Sequence, residues 1–205
     1  MAPTSPRRLG IMGGSFDPIH IGHLVCAEEA LWQFGLDSVV WVPAGTPWQK
    51  KEVSSAEDRF RMVVLATMDR QPFSVSRMEI DRRGPTYTLD TLREFHRFYG
   101  PESELFFITG ADAVMQILSW KDPEALLAEA SFIAANRPPY ELTPTGIERF
   151  GDRVTIMDIP GLEVSSTDIR RRLAEGAPVR YLVPPAVADY IADRGLYGSL
   201  ERQSA

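Results

Sequence analysis

The chain has 205 residues, enough for one domain with a sizeable core. Its 22 Lys and Arg residues against 28 Asp and Glu give a net charge of −6, which argues against a nucleic-acid polymer as partner, because such binders usually carry a basic excess. The single cysteine, Cys26, excludes an internal disulfide and is typical of a reducing, cytoplasmic location. We expect no membrane span, which needs an apolar run of roughly 20 residues, and no secretory signal at the N-terminus.

The first elements predicted along the chain are a strand, a glycine turn and a helix. An apolar run from Leu9 to Met12 leads into Gly-Gly-Ser-Phe-Asp-Pro-Ile-His-Ile-Gly-His, residues 13–23, which we call the histidine turn. Apolar residues at helical spacing follow and predict a helix. Gly13 and Gly14 let the backbone approach a ligand with no Cβ atom between them. The helix would direct its N-terminal N–H groups and the positive end of its dipole at that ligand.

Two histidines of this turn, His20 and His23, stand three residues apart and therefore share one face of the first helical turn. Imidazoles beside helical N–H groups favour an anionic ligand, most naturally a polyphosphate. Metal ligation by both histidines is the less favoured alternative, because only Asp17 lies close enough in the sequence to complete a ligand set.

The following segments predict a second strand, a cationic loop and a second helix. Residues 38–42 form an apolar run that ends at a proline, and the loop after it, residues 43–51, contains two lysines. Ser54 and Glu57 form a capping-box pattern, which predicts the start of a helix.

Strands and helices alternate along the rest of the chain. We predict a short strand over 73–76, a charged loop over 78–85, strands over 105–108, 132–135 and 154–156, and helices beginning after Thr88, at Pro123, near Ser165 and at Pro185.

This alternation predicts an α/β fold, a Rossmann-like, doubly wound and mainly parallel sheet with helices on both faces. We expect a single domain over 9–198, with a flexible N-terminal tail over 1–8 and a C-terminal tail over 199–205. Ligands of such sheets bind outside the carboxyl ends of the strands. The polar clusters of the sequence all fall at such ends, namely 13–23, 43–51, 81–88, 109–112, 137 and 164–170.

A second constellation joins three hydroxyl residues and an arginine. Ser165, Ser166 and Thr167 precede Arg170 at the start of a predicted helix. One interpretation is a structural N-cap followed by a solvated basic face. The other is a second phosphate cradle made of hydroxyls, N–H groups and a guanidinium.

Together these motifs resemble the bacterial nicotinate mononucleotide adenylyltransferases of the nucleotidyltransferase superfamily. The resemblance rests on residues 13–23, Gly110-Ala111-Asp112, the Ser-Trp pair at 119–120 and the string Ser-Ser-Thr-Asp-Ile-Arg at 165–170, in the family's order and spacing. It implies transfer of AMP from ATP to nicotinate mononucleotide, giving deamido-NAD and pyrophosphate, with Mg²⁺ accompanying ATP. It also implies a cytoplasmic enzyme of NAD biosynthesis and leaves open a homo-oligomer.

The resemblance also implies roles for individual residues. The catalytic residues would be His20, His23 and Arg170, and the acceptor mononucleotide would be bound by Thr88, Trp120 and Arg137. The residues expected to bind ATP are Gly13, Gly14, Ser15, Phe16, Lys50, Gly110, Asp112, Ser166 and Thr167.

Two positions depart from the family pattern, and two alternative functions stay open. Gln49 stands where many relatives have a histidine, so any cationic role there must shift to Lys50 or its neighbour. Lys121 stands where relatives often have an aromatic residue. The alternatives are a related adenylyltransferase with another phosphate acceptor and a nucleotide-binding sensor without turnover.

Overall fold

The computed structural model describes residues 7–46, 54–136 and 142–198, which form one six-stranded parallel sheet with helices on both faces. The strands are β1 (Arg8–Gly14), β2 (Ser38–Pro43), β3 (Phe73–Val75), β4 (Glu104–Gly110), β5 (Ser131–Asn136) and β6 (Val154–Asp158), in the spatial order β3-β2-β1-β4-β5-β6. The predicted fold class is therefore confirmed.

Nine α-helices surround the sheet in the described part of the chain. They are α1 (Ile21–Gln33), α2 (Ala56–Thr67), α3 (Met78–Asp81), α4 (Thr88–Tyr99), α5 (Ala111–Val114), α6 (Pro123–Glu129), α7 (Pro144–Ile147), α8 (Ser166–Ala174) and α9 (Pro185–Asp193). None of these helices is long and apolar enough to cross a membrane.

Each face of the sheet has its own apolar core. In β1, Met12 packs with residues of α1, α2, α8 and α9, whereas Leu9 and Ile11 pack with residues of α4, α5 and α6. Because both faces are covered, consecutive residues of the central strands are buried, which explains why these strands read as continuous apolar runs. Cys26 is a buried core residue of α1.

The strand order reverses between β1 and β4. From β1 the chain moves outward to β2 and β3, returns to β4 on the other side of β1, and continues to β5 and β6. Met12 pairs with Ile108, so the carboxyl ends of these two central strands lie side by side. Such a reversal point is where doubly wound sheets bind their ligands.

Two local predictions were wrong in detail. The segment predicted as a loop over 78–85 contains the short helix α3. The second helix has its N-cap at Ser55, whose hydroxyl accepts the Asp58 N–H at 3.0 Å, one residue after the predicted cap at Ser54. The helix α1 ends with Gly35 directly after the C-cap residue, at a positive φ of 56° that glycine adopts easily.

Candidate active site

The histidine turn begins where β1 ends, at Gly13 and Gly14. A Cβ atom on Gly13 would lie 2.8 Å from the ring of Phe107 in β4, and one on Gly14 would lie 3.0 Å from the ring of Phe16. Phe16 is buried and has a positive φ of 50°, so the chain turns sharply at this residue. The two glycines therefore admit two aromatic rings against the turn, a packing role that the sequence did not reveal.

His20 and His23 occupy the N-cap and third positions of α1. Their rings stack with centroids 3.7 Å apart and planes at 26°. The backbone N–H of His20 donates to Nδ1 of His23 at 3.2 Å. This hydrogen bond requires a lone pair on Nδ1, so the neutral His23 ring carries its proton on Nε2. Gly22 leaves room for this pair, since a Cβ atom there would lie 3.1 Å from Nδ1 of His20.

One helical N–H group that the sequence assigned to a ligand is already occupied. The N–H of Ile21, the first residue of α1, donates at 3.0 Å to the carbonyl oxygen of Leu182, in the loop before α9. The positive end of α1 therefore contributes its dipole and the histidine side chains to this site, whereas the Ile21 N–H stabilises the fold.

The N-terminus of α8 is hydrogen-bonded to the histidine turn. The hydroxyl of Ser166 donates to the carbonyl oxygen of Pro18 at 2.9 Å, and Nη1 of Arg170 donates to that of Asp17 at 2.8 Å. Nη2 of Arg170 lies 3.3 Å from Oγ1 of Thr167. The structural interpretation holds for Ser165, the N-cap of α8, whose hydroxyl accepts the Asp168 N–H. Ser166 and Arg170 contact the turn, with Thr167 beside Arg170, as the second interpretation requires.

The two arginines that follow have other contacts. Arg171 forms exposed ion pairs with Asp168 and Glu175, at 2.6 and 2.7 Å, as expected for a residue pointing away from the turn. Arg172 donates its Nε–H to the carbonyl oxygen of Pro178 at 3.1 Å.

Gly110 and Asp112 lie beside the turn at the end of β4. Gly110 is the last residue of that strand and the N-cap of α5. A Cβ atom on Gly110 would overlap Oδ1 of Asp112, so the carboxylate lies directly against the glycine. Because β4 is the parallel neighbour of β1, these residues lie at the same carboxyl end of the sheet as the histidine turn.

A cavity of about 300 Å³ lies between the start of α4 and the segment before α6. Trp120 packs edge-on against Phe107, with ring centroids 6.3 Å apart and planes at 88°. The same Phe107 ring borders Gly13, so it lies between the histidine turn and the cavity. The residues lining the cavity are Pro85, Tyr87, Thr88, Leu89, Ser119, Trp120, Lys121 and Leu126.

Lys121, the departure from the family pattern, lies at the rim of this cavity. Its Nζ atom is 4.5 Å from the centroid of the Tyr87 ring and 3.5 Å from Oδ2 of Asp90. The side chain is half-exposed, and its ammonium interacts with an aromatic face and a carboxylate.

A buried polar cluster behind the turn was not predicted from the sequence. Arg59 of α2 is 1% exposed and donates to three backbone carbonyl oxygens. Asp17, also 1% exposed, accepts hydrogen bonds from the hydroxyls of Ser54 and Tyr197. The available signal was that Arg59 lies four residues before Val63, on the face of α2 that carries its apolar residues.

Charge and burial set the protonation states in this cluster. Burial lowers the pKa of the Arg59 guanidinium below its usual value, and the carboxylate of Asp17 offsets part of this effect. Burial and the hydrogen bond to Asp17 both raise the pKa of Tyr197, so its hydroxyl stays a proton donor to that carboxylate at neutral pH.

Three of the residues singled out in the sequence, Gln49, Lys50 and Arg137, lie outside the described ranges, and the roles expected for them stay predictions. Within those ranges, no group of three His, Cys, Asp or Glu side chains could hold a metal ion.

Comparison with known proteins identifies the family. Residues 11–172 match the sequence profile of the cytidylyltransferase-like family. A protein of Moorella thermoacetica, named as a probable nicotinate-nucleotide adenylyltransferase, is 52% identical over 202 residues, covering 95% of this chain and 93% of its own length. A protein of Streptomyces coelicolor with the same name is 55% identical over 188 residues, covering 91% and 98%.

A solved structure shares the fold. The nicotinic acid mononucleotide adenylyltransferase of Plasmodium falciparum, complexed with NaAD, superimposes with a TM-score of 0.81 at 21% identity, over 95% of this chain and 98% of that chain. The sequence identities and their coverage show that this chain belongs to the cytidylyltransferase-like family and, within it, to the nicotinate-nucleotide adenylyltransferases.

Proposed function

We propose that this chain transfers AMP from ATP to nicotinate mononucleotide, forming deamido-NAD and pyrophosphate. The observation that carries the proposal is the direct attachment of α8 to the histidine turn through Ser166 and Arg170. This attachment brings the histidine side chains of α1 together with the hydroxyl and guanidinium donors of α8 at the reversal point of the sheet. Such a site suits a triphosphate, whose charge needs several donors at once.

The reaction needs no covalent enzyme intermediate. A phosphate oxygen of the mononucleotide attacks the α-phosphorus of ATP, and the bond from that phosphorus to the pyrophosphate oxygen breaks in line. Transfers of this kind are catalysed mainly by positioning and by neutralising charge on the transferred and leaving groups. The protein therefore has to supply donors and cations in fixed places.

The stacked histidines supply donors at fixed positions. With Nδ1 of His23 engaged by the His20 N–H, the proton on Nε2 is the one that this ring can offer to a phosphate oxygen. Stacking against His20 fixes the plane of the ring, so the donor needs little reorganisation as negative charge develops.

Arg170 supplies the cation. One of its terminal nitrogens donates to the Asp17 carbonyl, which orients the planar guanidinium, and the other lies near Thr167. A guanidinium has five N–H groups, so these contacts leave donors for a phosphate. We assign the triphosphate to Arg170, Thr167 and the backbone at Ser166, whose hydroxyl proton is donated to Pro18, together with the turn formed by Gly13, Gly14, Ser15 and Phe16.

The cavity beside Trp120 suits the acceptor's ring. An indole face binds a flat pyridine ring by stacking, which does not distinguish a carboxylate from a carboxamide. Thr88 is the first residue of α4, where the backbone N–H groups have no partner within the helix. A site rich in donors favours the carboxylate of nicotinate and leaves the NH₂ of an amide unpaired.

Nucleotidyltransferases generally use a divalent metal with ATP. The described residues form no cluster that could hold such an ion by themselves, and Asp17 is engaged by Ser54 and Tyr197. We therefore propose that Mg²⁺ arrives as the ATP complex, held mainly by phosphate oxygens, as is common for this ion. Its contribution there is to offset phosphate charge.

The test is an acceptor panel assayed for pyrophosphate. Nicotinate mononucleotide, nicotinamide mononucleotide, flavin mononucleotide and phosphopantetheine are each mixed with ATP and Mg²⁺, and the dinucleotide product is identified by mass. We expect the highest kcat/KM with nicotinate mononucleotide. A higher kcat/KM with another acceptor would support the related adenylyltransferases, and ATP binding without pyrophosphate release would support a sensor.

A further inference from the structure

The guanidinium of Arg59 holds together three segments that are distant in sequence. Nη1 donates to the carbonyl oxygen of Ser15 at 2.9 Å, Nη2 to that of Gly45 at 2.9 Å, and Nε to that of Ser54 at 3.1 Å. Ser15 belongs to the histidine turn, Gly45 follows β2, and Ser54 precedes α2. One side chain thus fixes the turn against both neighbouring segments.

This buried arginine directs its hydrogen bonds to carbonyl oxygens, and the nearby carboxylate of Asp17 interacts favourably with its positive charge. A buried charge costs free energy unless it is fully hydrogen-bonded. A lysine could not replace it in full, because an ammonium lacks the planar fork that reaches three acceptors at once.

A second anchor acts on the same turn. Asp17 accepts the hydroxyls of Ser54 and of Tyr197, the latter at 2.6 Å, and also the Ser54 N–H at 3.3 Å. The Asp17 backbone carbonyl accepts from Arg170. Asp17 therefore connects Arg170, which we assign to the triphosphate, with Ser54, which also accepts a hydrogen bond from Arg59.

We propose that Arg59, Asp17 and Tyr197 form a buried brace that positions the histidine turn for ATP. The brace acts from behind the turn: Arg59 fixes the Ser15 carbonyl, and Tyr197 fixes the carboxylate of Asp17. Its members are positioning residues, since they act on ATP through the turn. The proposal rests on the proposed function, because ATP is the ligand of this turn.

The brace is tested with two variants that each remove hydrogen-bonding capacity at little cost in volume, Arg59→Lys and Tyr197→Phe. Each has a matched control. Arg61→Lys changes an exposed arginine of the same helix, which pairs with Glu57 at 3.6 Å. Tyr190→Phe removes another tyrosine–aspartate hydrogen bond, to Asp58 at 2.8 Å, whose other contacts are with Ser55 and Arg194.

The measurements are KM for ATP, KM for nicotinate mononucleotide, kcat, and the melting temperature. We expect Arg59→Lys to raise KM for ATP about tenfold or more, the effect of losing one charge-assisted hydrogen bond. Tyr197→Phe should raise it by a smaller factor, since a neutral donor is lost. In both variants KM for the mononucleotide should stay within about twofold, as should every constant of the controls.

Each outcome of these measurements either supports or overturns the brace. A purely structural role would lower the melting temperature and leave KM for ATP unchanged, which would overturn the brace. If Arg59→Lys does not fold, Tyr197→Phe decides by the same criterion. ATP affinity measured by calorimetry separates the two proposals: a chain that binds ATP, loses affinity in both variants and makes no dinucleotide overturns only the proposed function. A chain that binds no ATP overturns both.

Discussion

Arg170 and Arg171 are adjacent on α8 and provide the sharpest test of the triphosphate site. Arg170 donates to the Asp17 carbonyl at 2.8 Å and lies beside Thr167, whereas Arg171 pairs with two exposed carboxylates of its own helix. Truncating Arg170 to alanine removes one charge-assisted contact to phosphate, worth about 1.5–3 kcal/mol. That loss corresponds to a decrease of about 10- to 150-fold in kcat/KM for ATP.

The assay is pyrophosphate release at varied ATP and saturating mononucleotide. Arg170→Ala also loses the hydrogen bond to the turn, so its melting temperature should fall. Arg170→Lys keeps the positive charge but loses the planar guanidinium, and therefore separates the effect of charge from that of geometry. Arg171→Ala should resemble the unmutated chain in both measurements, because its partners face solvent. Equal losses of kcat/KM in Arg170→Ala and Arg171→Ala would refute the cradle and indicate a diffuse basic surface.

Three further predictions concern the turn, the cavity and the loop after β2. His20→Ala and His23→Ala should each lower kcat by about 10²–10³-fold with a smaller change in ATP affinity, and near-full activity in either would leave that residue a structural role. Thr88→Val should reduce the preference for the acid over the amide acceptor, whereas Trp120→Ala should raise KM for both alike; the reverse pattern in steady-state kinetics would contradict this division of roles. Gly45→Ala should destabilise the fold by about 1–3 kcal/mol in chemical denaturation, because its Cβ atom would overlap the Glu79 carbonyl oxygen, and unchanged stability would show that the loop yields there.

The elements with strong periodicity could be predicted from the sequence, and the short ones could not. The apolar run before Gly110 and the capped start of α6 at Asp122 have local causes that the sequence displays. The four-residue helix α3 is too short to establish a period, and its segment is rich in charges that are typical of loops. One of these charges, Glu79, is held in place by the Thr91 hydroxyl at 2.7 Å, a contact that arises only when α3 meets α4.

The site divides in the same way. The histidine turn and the residues around Ser166 are contiguous strings, so their chemistry is visible before folding. The brace is not, because its members are separated by as many as 180 residues, and nothing in the sequence connects Asp17 of the turn with Arg59 or Tyr197. The hydrogen bond of the Ile21 N–H could not be predicted for a similar reason, since its acceptor, Leu182, is brought there by the tertiary fold.

The position of β1 in the middle of the sheet has a consequence for how the molecule is assembled. This first strand pairs with β2, which follows it closely, and with β4, which begins only at Glu104. The histidine turn can form early beside β2, but its other wall and its α8 donors are synthesised much later. Pairings across such long loops slow folding, and until β4 arrives one edge of β1 is open to other strands. The same central placement that creates the site thus exposes its first half during synthesis, when an N-terminal fragment has the histidines but lacks a partner for one edge of β1.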